Sequence, residues 1–219
     1  MGTSRSVPSP RTERWARVRE SYGDPSATPS VTVGRIVAAL DDDFRAQMAG
    51  RPVARSLQAL LGAASEVESA AGDPPKLASA AQAVREAAHS AVARERTASV
   101  FGELAVSAAS KCVLGGQVSQ LAQRFAARYI ADVFSYLVSR DIGRHLGRGR
   151  LRSLAELPRF VRDVENHVAE AVLAQDVPLP EADASLADLE AFLTQAIEVS
   201  LDVLREAGEE HADQHPHEA

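Results

Sequence analysis

The chain has 219 residues, of which 45% are apolar and 25% charged, and carries a formal net charge of −6. That is enough apolar material for one large domain with a sizeable core, with or without a small appendage, and it excludes a chain disordered through most of its length. The acidic balance excludes a general nucleic-acid coat but leaves room for a local basic site.

Aromatic residues make up only 5% of the chain, while Ala and Leu are abundant and strand-favouring runs of Val, Ile, Thr and Tyr are almost absent. This composition predicts an all-α fold. Cys112 is the sole cysteine, so no internal disulfide can form, and its apolar setting reads as a buried thiol in a reducing compartment; the expected location is the cytoplasm. Residues 1–20 are polar and Arg-bearing, without the apolar segment of a secretory signal. The longest apolar stretch, 112–139, is interrupted by Arg124, Arg128 and Asp132, so no membrane span is expected.

In chain order, residues 1–9 read as a disordered N-terminus and 10–22 as a short amphipathic helix opened by Pro10, with Trp15, Val18 and Tyr22 at helical spacing. A linker holding Pro25 and Pro29 follows, so this helix can dock on the body or reach a partner, which makes Trp15, Val18 and Tyr22 partner-binding candidates. A core domain is expected over 32–174. Its first helix starts with Thr32 as cap and presents Val33, Ile36, Leu40, Phe44 and Met48 on one stripe as far as Gly50. Further helices are expected from Pro52 to Gly72, from Pro75 to about Arg96 and from about Thr97 to Gly115.

The segment from about 117 to 139 is the most apolar in the chain and is expected to be the central helix of the bundle. Ser153 to Glu156 has the form of a capping box, although Pro158 shifts the expected helix start toward Leu157 or Pro158. A second proline-containing linker, 175–184, leads to an acidic helix over 185–207 that opens with a similar pattern, Ser185 to Asp188; Gly208 is expected to end it, and 208–219 to be a disordered tail. The whole reads as an irregular bundle of about six to eight helices, with terminal helices behind proline-containing linkers.

Charge is strongly segregated. Nine Arg and three acids occupy 124–162, whereas fifteen acids and one base, Arg205, occupy 163–219. At about 100° per residue, Arg124 and Arg128 fall outside the apolar arc of the central helix, Arg140 falls on its axis, and Ile142 and Leu146 fall where the polar face had been. The apolar phase therefore flips near 139–143, where either the helix breaks or its end meets a different neighbour. Arg140, Arg144, Arg148, Arg150 and Arg152 are thereby gathered around a Gly-rich turn and are the candidate nucleic-acid or phosphate ligands. The competing expectation is that they face solvent or pair with acids of the C-terminal helix.

Catalytic signals are weak. Asp141 and His145 share a helical face without the further groups an active site or metal site needs, and His211, His215 and His217 lie in the tail. No catalytic residue, metal or cofactor is expected. The resulting expectation is a non-enzymatic helical adaptor or regulatory subunit, whose partner is another subunit or a second copy of itself. The alternative is a subunit that binds nucleic-acid backbone through the Arg140–Arg152 turn.

Overall fold

The computed structural model describes residues 13–24, 27–95, 99–115, 120–143, 153–181 and 183–214. Among these residues the regular structure is entirely α-helical, as the composition requires. Two of the eight expected helices are each broken in two, giving ten segments.

Helix α1 (Glu13–Gly23) is followed by α2 (Pro29–Ala39), which starts earlier than the Thr32 cap expected from sequence. The Thr28 hydroxyl accepts from the amide of Val31 and Pro29 supplies the fixed φ of a first turn, so Thr32 lies buried within the helix. Asp41 then interrupts the stripe: its carboxylate accepts from the Phe44 amide at 2.8 Å, capping a new helix, α3 (Asp42–Met48), while Leu40 is extended. Helices α4 (Arg51–Gly62) and α5 (Ala64–Ser69) are likewise separated at Ala63.

Helices α6 (Pro74–Ala93) and α7 (Val100–Leu114) are capped by Asp73 and Ser99. The central helix, α8 (Leu121–Ile142), begins after Gln120, whose positive φ of 59° breaks helical continuity on the N-terminal side. The expected start at Gln117 lies outside the described residues. Helix α8 packs against α7, α9 (Glu156–Leu173), α4, α1 and α10 (Leu186–Gln214), and Phe125, Tyr129, Val133, Phe134 and Leu137 are fully buried along it. The one hydroxyl on this stripe is satisfied, since Tyr129 donates to the Met48 carbonyl at 2.9 Å and so ties α8 to the end of α3.

Of the two capping patterns read from the sequence, the one at Ser185 forms fully and the one at Ser153 only in part, since the N-cap of α9 is Ala155 and no side chain caps its start. The Ser153 amide donates to the Glu156 carboxylate, and α9 starts at Glu156 with Pro158 in its first turn, where a missing N–H is harmless. At α10 the exchange is reciprocal: the Ser185 amide and hydroxyl both donate to Asp188, and the Asp188 amide donates to the Ser185 hydroxyl.

Gly208 does not end α10, which continues to Gln214. Instead Gly208 is buried against Gly34 of α2, and a Cβ built on either glycine would lie within 2.8 Å of the other's Cα. The glycine is there to let two helix backbones meet, a use that sequence does not distinguish from a stop signal.

Candidate functional site

The end of α8 meets α1 in a small buried polar node. The Trp15 indole N–H donates to Asp141 Oδ2 at 2.5 Å, and Arg140 grips the same carboxylate with Nε and Nη2 at 3.0 and 2.8 Å. The guanidinium also lies over the Trp15 ring, 5.2 Å from its centroid. Trp15, Val18 and Tyr22 are all buried against the chain's own core, so α1 is docked in the position that the linker permits. Burial, and secondarily the Asp141 charge, push the Tyr22 phenol well above its ordinary range and keep it protonated.

This node accounts for the phase flip near 139–143. At the last turn of α8 Trp15 of α1 meets Asp141 and Arg140, Ile142 is fully buried, and Arg140, on the apolar axis, is only 20% exposed. Among the five arginines proposed for the turn, Arg140 is thus committed to Asp141 and Trp15. Arg144, Arg148, Arg150 and Arg152 lie outside the described residues, as does His145, the expected partner of Asp141. Sequence reasoning missed the contact between Trp15 and Asp141, which are 126 residues apart; its one trace was a charged residue, Arg140, at an apolar phase.

A second charged group lies further along α8. Asp132, buried, receives Lys111 of α7 at 3.0 Å and Arg128 at 3.2 Å, and Arg128 also reaches Glu165 of α9 at 2.6 Å. Burial raises the Asp132 pKa above the ordinary carboxylate range, against the lowering effect of Lys111 and Arg128. The Arg128 and Asp132 pairing follows helical i,i+4 geometry and is legible in sequence, whereas Lys111 and Glu165 arrive from other helices. Cys112 lies beside this group, and burial pushes its thiol up to about 11. These four charges fasten three helices together.

The acidic half of the chain presents a different surface. Glu198, Asp202, Glu206 and Glu209 are exposed on one side of α10, and Arg205, the base among them, is held by Asp202 at 3.2 Å. At about 100° per residue these four acids fall within an arc of about 80°, forming a continuous ridge. The nearest described link between α10 and a basic side chain elsewhere is Glu190 with Arg51 of α4 at 3.2 Å, so the ridge itself faces outward.

Among the described residues no group of three or more His, Cys, Asp or Glu side chains is arranged to hold a metal ion, and no helix is long and apolar enough to cross a membrane. Comparison with protein-family models, curated proteins and solved structures gave no match to this chain.

Proposed function

We propose that the chain is a non-enzymatic helical adaptor or regulatory subunit of a larger cytoplasmic assembly. The observation that carries this reading is the solvent-facing acidic ridge of α10, with Asp202, Glu206 and Glu209 on a helix anchored to the body through its opposite face. A rigid helix bearing one sign of charge favours a protein surface of the opposite sign, chiefly through orientation and association rate. The alternative, binding to nucleic-acid backbone, draws on Arg144, Arg148, Arg150 and Arg152, because Arg140 is already engaged by Asp141. A partner that used Trp15, Val18 and Tyr22 would first have to draw α1 from the core, where all three are buried.

Size-exclusion chromatography with light scattering, together with a pull-down from native lysate, tests the adaptor reading. The expected result is a defined complex or homo-oligomer that dissociates as salt is raised. A monomer that retains nothing contradicts it. Binding to DNA or RNA whose salt slope shrinks on Arg148→Ala and Arg150→Ala would favour the alternative.

A further inference from the structure

We draw no further inference here: the strongest candidate, the open apolar groove between the proline-containing linker and α10, lined by Pro178, Pro180, Ala191 and Phe192 with Leu179 half exposed between the two prolines, carries nothing because nothing in the structure shows what covers it.

Discussion

Gly34 and Gly208 touch backbone to backbone, each occupying the space where the other's Cβ would be. Replacing a helical glycine by alanine ordinarily stabilises by about 1 kcal/mol through propensity. Here the added methyl meets main chain, which cannot rotate aside, so α2 and α10 must separate along their shared face. Gly34→Ala and Gly208→Ala should each destabilise the protein by about 1–3 kcal/mol in urea unfolding. Gly62→Ala, where a Cβ meets nothing within 4 Å, is the control and should not destabilise comparably.

The node at the α1–α8 junction predicts how α1 comes loose. Asp141→Ala leaves Arg140 and the Trp15 indole without their shared acceptor, at a cost of about 3 kcal/mol by analogy with broken buried pairs. Trp15 is the only tryptophan, so its fluorescence reports the event directly. The emission of Asp141→Ala should shift to the red under native conditions, whereas Asp141→Asn, which keeps an acceptor, should shift less.

Cys112 predicts a pH dependence. Its thiol ionises near the ordinary 9.0 when unfolded and at about 11 when folded. A raised folded pKa means that the unfolded state loses its proton first, so the contribution to stability is present below pH 9.0 and is lost as the pH rises toward about 11. Cys112→Ala should reduce the loss of urea stability across that window, leaving the part due to tyrosines. The native thiol should also react with a disulfide reagent far more slowly than the urea-unfolded chain.

The capping box at α10 is exposed and local. Ser185→Ala removes both the acceptor for the Asp188 amide and a donor to its carboxylate, and should cost about 1 kcal/mol in thermal or urea unfolding. These hydrogen bonds hold Asp188 below its usual carboxylate range, so its contribution is present above pH 3.8 and is lost as the pH falls through the lowered value. An Asp188 pKa measured by NMR at or above 3.8 would contradict this reading.

Much of the fold was legible because it depends on local rules. The apolar arc from Phe125 to Leu137 marked the central helix, and Ser185 with Asp188 marked the start of α10 through side-chain geometry contained within four residues. The errors occurred where one residue type serves two ends. Gly208 reads as a stop until Gly34 is placed against it, and the stripe through Leu40 and Phe44 reads as one helix until Asp41 is seen capping Phe44. Trp15 was legible on the apolar face of a helix that could dock on the body or reach a partner, but its acceptor was not. Asp141 belongs to a contact across 126 residues, and Lys111 reaches Asp132 from another helix.

The most direct test of the adaptor account is charge reversal on the outer side of α10. Asp202→Lys, Glu206→Lys and Glu209→Lys together alter exposed side chains and should leave the melting curve nearly unchanged. The account predicts that light scattering on the wild-type chain shows an oligomer, or a complex with its co-purified partner, and that the triple variant loses it. A wild-type chain that runs as a bare monomer, or a variant that keeps the same assembly, would contradict the account.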